Sequence, residues 1–297
     1  MLQKKKLQIA VLGGDLRHAH LANTLLREGF NVAVLCMEKD VYLEKEVEQG
    51  ENVRAVLTKT DVAVLPLPAT IDKININAPF SDKMLSIRDV LLDIPKGSLV
   101  LGGMLTPDII AKGEQHGLVM LDYLEREELA VLNAVPTAEG AVAIAMRERA
   151  STVFGSRCLV TGYGRVAKVL ARLLAAMGVG EVTVAARKPQ DLAWARVNGC
   201  NGIHISKIKE CAAKADILFN TVPAMILDEE ILAVLPHNCL VIDLASKPGG
   251  VDFEMAKRLR VKTIWALSLP GKVAPITAGE ILKETVINIL TERGYIC

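Results

Sequence analysis

The 297-residue chain lacks the marks of a protein built for a charged partner or an oxidising compartment. Its formal charge is only +1, which leaves no electrostatic case for nucleic acid or an acidic membrane surface. Aromatic residues make up 4% of it, and no basic stripe interleaves with them, so the second signature of nucleic-acid binding is missing too. The six cysteines (Cys36, Cys158, Cys200, Cys211, Cys239 and Cys297) form no C-x-x-C pair. Several stand in apolar runs and read as reduced core thiols, not a disulfide framework or a zinc site. The five histidines are scattered; His18 and His20 stand two apart with no cysteine or acidic ligand at metal spacing, so no metal is expected. Lys4-Lys5-Lys6 precedes an apolar run that ends at Leu12, before Gly13-Gly14-Asp15, too short for a signal peptide, and no apolar run approaches membrane-spanning length. These absences lead to the expectation of a soluble, cytoplasmic protein with neither nucleic acid nor membrane as partner.

What is present is apolar and aliphatic. Half of the residues are hydrophobic, as in an α/β protein, and the length leaves room for two domains. The most informative stretch runs from Arg157 to Lys188. Cys158-Leu159-Val160-Thr161 is short enough for a buried strand, and Gly162-Tyr163-Gly164-Arg165-Val166-Ala167 fits G-x-G-x-x-A. Val166, Val169, Leu170, Leu173, Leu174 and Met177 follow at helical spacing, Gly178 and Gly180 close that helix, and Glu181 to Ala186 reads as a second strand. Strand, glycine turn, helix and strand together make a dinucleotide-binding βαβ unit. Gly162 permits the tight turn, Gly164 lets the backbone approach a pyrophosphate, and the helix N-terminus offers it unpaired N–H groups. The second strand ends in Arg187-Lys188, with no acid until Asp191. A guanidinium and an ammonium suit a ribose 2′-phosphate, so NADP is the expected cofactor.

The N-terminal half repeats the α/β alternation without that motif. Lys6 to Leu12 is an expected strand, Gly13-Gly14-Asp15 a turn, Ala19 to Leu26 a helix closed by Gly29, and Asn31 to Cys36 the next strand. GGDLRHAH lacks the phosphate-binding spacing, so this half is expected to be flavodoxin-like, with its first loop facing a substrate. Further strands at Val62–Leu65, Ser98–Leu101 and Leu118–Leu121 complete a first domain ending near residue 133. Topology gathers the loops Gly13–Arg17, Pro66–Thr70, Gly102–Gly103 and Tyr123–Glu127 at the carboxyl ends of its strands.

The expected architecture is therefore α/β with two doubly wound parallel-sheet domains. Residues 1–133, completed by a C-terminal helix over 279–297, form the flavodoxin-like domain, and residues 151–278 form a Rossmann domain. Residues 134–150 are a connecting segment in which Thr137 caps a helix over Ala141 to Arg149; the C-terminal helix, with an apolar face from Ile281 to Leu290, makes the second connection. Two such connections suggest a hinged pair with a cleft, by fold analogy with hydroxyacid and alanine dehydrogenases. In the Rossmann domain the strands at 215–219, 239–244 and 261–266 end in Asn220-Thr221-Val222-Pro223, in Ala245-Ser246-Lys247-Pro248-Gly249-Gly250, and in Leu267-Ser268-Leu269-Pro270-Gly271-Lys272. Small, polar or proline residues there let a cofactor lie across the sheet edge. The expected cofactor contacts are Gly162, Gly164, Arg165, Val166, Arg187, Lys188, Asn220, Thr221, Val222, Pro223, Leu244, Ala245, Ser246, Leu269 and Pro270.

GGDLR, NAVPTAEG, GYGRVA, NTVPAMIL, DLASKPGG followed by Asp252-Phe253, and LPGKVAPITAG together resemble the A-subunit family of dipicolinate synthase, in order and over nearly the whole chain. DLASKPGG with LPGKVAPITAG is the most specific pair. The resemblance implies a role in bacterial sporulation: formation of pyridine-2,6-dicarboxylate from a dihydro or hydroxy-tetrahydro intermediate of the lysine pathway. It further implies an NADP-linked dehydrogenase component working with the flavoprotein-like B-subunit of dipicolinate synthase in the mother-cell cytoplasm. A homo-oligomer is also expected.

Aromatising a dihydropyridine removes a hydride and a proton, so NADP+ suffices as acceptor and the protein must hold a dianion against it. Gly14, Arg17, Thr70, Thr137 and Lys272 lie on loops that could meet the carboxylates. Asp15, after the first strand, and Glu139, at the expected start of the connecting helix, are the candidate proton acceptors; His18 and His20 are further candidates on pKa grounds. Two alternatives stand beside this reading. One is a dehydrogenase for another hydroxy or amino acid, against which the late loop LSLPGKVAP counts, since it has no histidine. The other is a non-catalytic NADP-binding protein that scaffolds or regulates the flavoprotein.

Overall fold

The computed structural model describes residues 6–39 and 41–296; Lys4, Lys5 and Cys297 lie outside the described residues. The chain divides into two compact units: residues up to Ala130 together with Ala274 onward, and Val131–Val273. The divisions fall at 130/131 and 273/274 rather than at 133/134 and 278/279.

Unit 1 holds β1 (Gln8–Leu12), β2 (Asn31–Leu35), β3 (Glu48–Gln49), β4 (Val62–Val64), β5 (Leu99–Gly102) and β6 (Val119–Asp122). They form one parallel sheet in the order β3-β2-β1-β4-β5-β6. Without β3, a two-residue edge strand of exposed polar residues that carries no apolar signal, the order is the flavodoxin-like one. The register pairs Leu12 with Leu35 and Val11 with Val64, so β1, sealed on both sides, is buried from Ile9 to Leu12. The helix Pro275–Glu292 packs on the helix Leu16–Arg27, and Gly279 makes the approach possible: a β-carbon there would come within 2.8 Å of the Arg17 carbonyl oxygen.

Unit 2 holds β7 (Arg157–Thr161), β8 (Glu181–Ala186), β9 (Asn201–His204), β10 (Ile217–Asn220), β11 (Leu240–Asp243) and β12 (Lys262–Trp265). The parallel order β12-β11-β10-β7-β8-β9 is the Rossmann order of two three-stranded halves meeting at the β7/β10 pair. Residues of β7 alternate between two cores: Cys158 and Val160 join one, Leu159 the other. Both faces of the sheet are therefore covered, and the strand reads as an uninterrupted apolar run. The helix Arg165–Ala176 buries Ala167, Leu170, Ala171 and Leu174, one face at helical spacing.

The connecting segment differs from expectation. Glu127–Glu148 is one helix with Pro136 inside it, so neither Thr137 nor Glu139 stands at a helix start. Thr137 caps nothing; its hydroxyl donates to the Asn133 carbonyl one turn back, at 2.7 Å. Proline removes one backbone hydrogen bond there, but Ala134, Ala138, Ala141, Val142 and Ala145 form a continuous buried face across it. This burial overrides the local breaker. By length and composition this helix could cross a membrane, with a mean hydropathy of 1.5, although half of that stretch is buried inside the protein. The expectation that no stretch reaches such a length is corrected accordingly.

Candidate functional site

In unit 2 the chain leaves β7 at Thr161 and turns through Gly162-Tyr163-Gly164 into the helix Arg165–Ala176. Gly162 has φ +80°, and a β-carbon on it would come within 2.8 Å of the Thr221 hydroxyl oxygen; glycine is required there on both counts. Gly164 has an ordinary φ of −79°, yet no heavy atom lies within 4 Å of where its β-carbon would stand. That space is open. The helix beginning beside it has no capping side chain, so its first N–H groups and the positive end of its dipole face an unfilled region. An open cradle at an uncapped helix start fits the pyrophosphate of a dinucleotide.

Beside the turn lies a cavity of about 200 Å³, walled by Ile205, Val222, Ala224 and Ile226, with Arg187, Lys188 and Asp191 on its lining. Arg187 and Lys188 are exposed, and neither forms an ion pair among the described residues. Asp191, which follows them in sequence, also reaches this cavity. Larger cavities, about 420 Å³ beside Cys36 and Lys83 and about 370 Å³ beside His237 and Lys262, are not lined by the glycine turn.

The loops after β10 and β11 are held by a buried polar network. Asn220 and Asp243 are both fully buried. Thr161 donates to Asn220 Oδ1; Asn220 Nδ2 donates to Asp243 Oδ1 at 2.7 Å and to the Val222 carbonyl at 3.0 Å. The Asp243 carboxylate also accepts the amides of Ala245 at 3.0 Å and Gly250 at 2.8 Å. Asn220 thus shapes the cofactor edge from beneath and does not present its side chain there, a correction to its expected contact. Thr221 likewise turns its hydroxyl to the Thr161 carbonyl at 2.7 Å. The sequence reading gives Asp243 no role, although an acid inside the apolar run Leu240 to Ala245 is the signal that could have found it.

Other expected contacts divide. Arg165 and Val166 open the helix that follows the glycine turn, Pro223 and Ser246 are exposed at the strand ends, and Leu244 is half-buried. Ala245 is buried, with its carbonyl accepting from Trp265 Nε1 at 2.9 Å. The stretch expected as a loop near Leu269 and Pro270 is a short helix, Leu269–Val273. Leu269 packs into the core, against the position a Gly140 β-carbon would take, and so is not a cofactor contact. Lys272 is exposed on the same helix, and Glu139 is exposed in mid-helix.

Unit 1 has a glycine turn in the equivalent place, and its interior is filled. Gly13 has φ +55° and Gly14 φ +91°. The Gly14 amide donates to the Asn77 carbonyl at 2.8 Å, and a β-carbon on Gly14 would come within 2.4 Å of the His18 ring. Asp15 caps the following helix by accepting from the Arg17 amide at 3.0 Å. The chain's own carbonyl, ring and carboxylate therefore take the places a phosphate would need at GGDLR.

Arg17 is 9% exposed. Its Nε donates to Asp15 Oδ1 at 2.9 Å and Oδ2 at 3.1 Å, and its Nη2 to Asp15 Oδ2 at 2.7 Å and to the Leu67 carbonyl at 2.9 Å. Burial alone would raise the Asp15 pKa, but the Arg17 hydrogen bonds and charge, with the His18 ring close by, hold it well below the usual carboxylate range. Asp15 is thus a fixed anion and a poor proton acceptor, which corrects its expected role. His18 is fully buried, its pKa pushed down by that burial. Its Nε2 lies 3.3 Å from the hydroxyl of the buried Tyr123, which donates to the Leu65 carbonyl at 3.0 Å. His20 points elsewhere, to Glu280 at 2.8 Å on the helix Pro275–Glu292. Thr70 is half-buried and donates to Asp72 at 3.1 Å. Among the described residues no three His, Cys, Asp or Glu side chains are grouped to hold a metal ion.

Comparison with known proteins assigns each unit. Residues 8–124 match the N-terminal domain of the dipicolinate synthase A-subunit, and residues 145–266 match the shikimate/quinate 5-dehydrogenase domain. The dipicolinate synthase A-subunit of Bacillus subtilis (strain 168) is 31% identical over 296 residues, covering 96% of this chain and 96% of that protein. The crystal structure of the dipicolinate synthase A-subunit from Bacillus halodurans matches with a TM-score of 0.88 at 29% identity, over 96% of this chain and 97% of that one. A transhydrogenase from Sinorhizobium meliloti shares the fold alone, with a TM-score of 0.69 at 16% identity, over 95% of this chain and 93% of that one. The chain belongs to the A-subunit family of dipicolinate synthase, and its second unit is a dehydrogenase-type Rossmann domain of the kind that carries a nicotinamide cofactor.

Proposed function

We propose that this chain is the NADP-linked dehydrogenase component of a dipicolinate synthase, oxidising a dihydropyridine- or hydroxy-tetrahydropyridine-dicarboxylate of the lysine pathway to pyridine-2,6-dicarboxylate during sporulation. The observation that carries this reading is the open space at Gly164 beside an uncapped helix, set against the filled turn at Gly14, in a chain whose relatives are named for that synthase. The pyrophosphate would be held by the amides that open the helix Arg165–Ala176. A 2′-phosphate would meet Arg187 and Lys188, and the adenosine would lie against Ile205, Val222 and Ile226.

When bound, NADP+ supplies a hydride acceptor. The chain's own task is to bind and orient a cyclic dicarboxylate. Oxidation of a dihydropyridine releases one hydride and one proton, a hydroxy-tetrahydropyridine first losing water to become that dihydropyridine, and an aromatic product lets the proton leave to water without a dedicated base. The fixed ionisation of Asp15 suits such a site. Working together with a flavoprotein-like B-subunit in the mother-cell cytoplasm, and self-association into a homo-oligomer, belong to the same proposal.

The decisive assay mixes purified chain, NADP+ and substrate generated in situ from pyruvate and aspartate semialdehyde, with and without the B-subunit. The expected result is pyridine-dicarboxylate absorbance rising together with NADPH. Dipicolinate forming at an equal rate without NADP+ would make this chain a binding or regulatory component. NADPH formed only from another hydroxy or amino acid would point to a different dehydrogenase.

A further inference from the structure

Among the described residues, the polar groups at the carboxyl end of the unit 1 sheet are almost all committed to one another. The Gly13 amide donates to the Leu35 carbonyl, Gly14 to Asn77, Ala69 to Gly103 and Gly103 to Pro66, all within 3.1 Å. Arg17 and His18 are the exceptions: His18 Nδ1 is buried without a hydrogen bond, 3.6 Å from Asp15 Oδ1. A guanidinium has five N–H donors; Nε and Nη2 of Arg17 are engaged by Asp15 and Leu67, which leaves the pair on Nη1. That nitrogen has no hydrogen bond among the described residues and is not among the buried nitrogens sealed from solvent. One face of an otherwise buried cation thus stays available beside the Gly13–Gly14 turn.

Resting on the proposal that the substrate is a cyclic dicarboxylate, we infer that Arg17 Nη1 binds one substrate carboxylate and that Asp15 is the positioning residue that aims it. Asp15 grips Arg17 from the Nε–Nη2 edge, and the Leu67 carbonyl takes the other Nη2 hydrogen. Rotation about the side chain is thereby blocked, and a single pose presents Nη1. The Asp15 backbone position is in turn fixed, because its carboxylate caps the helix that carries Arg17. His18, wedged beneath Gly14 and 3.6 Å from Asp15 Oδ1, closes the underside. A side-chain cation held rigid by its neighbours binds an anion with little further loss of freedom, which is the advantage of preorganisation.

Serine separates the two duties of Asp15, because it still caps a helix but cannot hold a guanidinium at two points. The test is calorimetric titration of the wild-type chain, Asp15→Ser and Arg17→Met with pyridine-2,6-dicarboxylate. NADPH titration of each variant, through the separate unit 2 site, reports that the chain is folded. The expected result is binding by the wild type and a loss of roughly tenfold to hundredfold in both variants, with NADPH affinity unchanged. In turnover, Asp15→Ser is expected to raise KM for the dicarboxylate while kcat stays within about twofold. Wild-type binding with Asp15→Ser unaltered would overturn the inference alone. So would a loss of kcat at constant KM, which would make Asp15 a base. Failure of the wild-type chain to bind the dicarboxylate would overturn the substrate reading and this inference with it.

Discussion

The His18 ring occupies the space that a side chain on Gly14 would need: a β-carbon there would come within 2.4 Å of it. At Gly164, which caps the unit 2 helix where unit 1 has Asp15, the space a β-carbon would take is open to 4 Å. Two turns that look alike in sequence, each glycine-rich and each between a strand and a helix, are thus opposite in kind. One is closed by its own chain, and the other is left for a ligand.

Filling the open turn should abolish cofactor binding without harming the fold. Gly164 has φ −79°, which any residue adopts, and its β-carbon would touch nothing. Gly164→Val is expected to weaken NADPH binding at least tenfold while moving the melting temperature by no more than about 2 °C. Fluorescence titration and a thermal melt on the same sample check both halves.

Arg187 and Asp191 line one cavity and would favour opposite cofactors, the cation a 2′-phosphate and the carboxylate a free 2′-hydroxyl. Arg187→Ala is expected to lower NADP affinity by roughly tenfold and leave NAD nearly unaffected. Asp191→Ala should weaken NAD alone. An unchanged NADP/NAD ratio in Arg187→Ala would remove the basis for assigning NADP.

Asp243 is fully buried and accepts hydrogen bonds from Asn220, Ala245 and Gly250. Asparagine has the same shape but turns one acceptor oxygen into a donor, facing either an amide N–H or the Asn220 Nδ2. Asp243→Asn should therefore cost about 2–3 kcal/mol, read from urea unfolding. It should also weaken cofactor binding, because two strand-end loops lose their shared anchor.

Burial pushes the His18 pKa below its ordinary value of 6.5. As pH falls through about 6.5, the unfolded chain takes up a proton that the folded chain does not, so stability declines in that direction. The wild-type urea midpoint should fall between about pH 7 and pH 5.5. His18→Gln, although less stable overall, should show a flatter slope over the same interval.

How much of this was legible in the sequence follows from how local each signal is. GYGRVA and its flanking strands lie within one short stretch and could be read directly, as could the buried strands of both sheets, whose apolar runs need no partner to be recognised. Pro136 and Thr137 misled because both are local breaker or cap signals, whereas the buried alanine face that carries the helix through them is a tertiary fact. β3 and β9 were not read because an exposed edge pair and the polar-flanked Asn201–His204 show neither alternation nor an apolar run. Arg17 was a candidate by position alone; the Leu67 carbonyl that helps to fix it is 50 residues away, and only the folded sheet brings the two together. Asp15 was read for its chemistry, and its partners decided otherwise.

The helix Pro275–Glu292 lies on the helix Leu16–Arg27, through the close approach at Gly279. The ribosome therefore makes the two parts of unit 1 at different times, with all of unit 2 emerging in between. Unit 2 has its complete set of strands in hand before unit 1 has its covering helix, so β1 to β6 must wait with the outer side of Leu16–Arg27 bare. A nascent chain arrested before Ala274 would carry a finished cofactor domain and an unfinished unit 1, and it is in that interval that a chaperone would find something to hold.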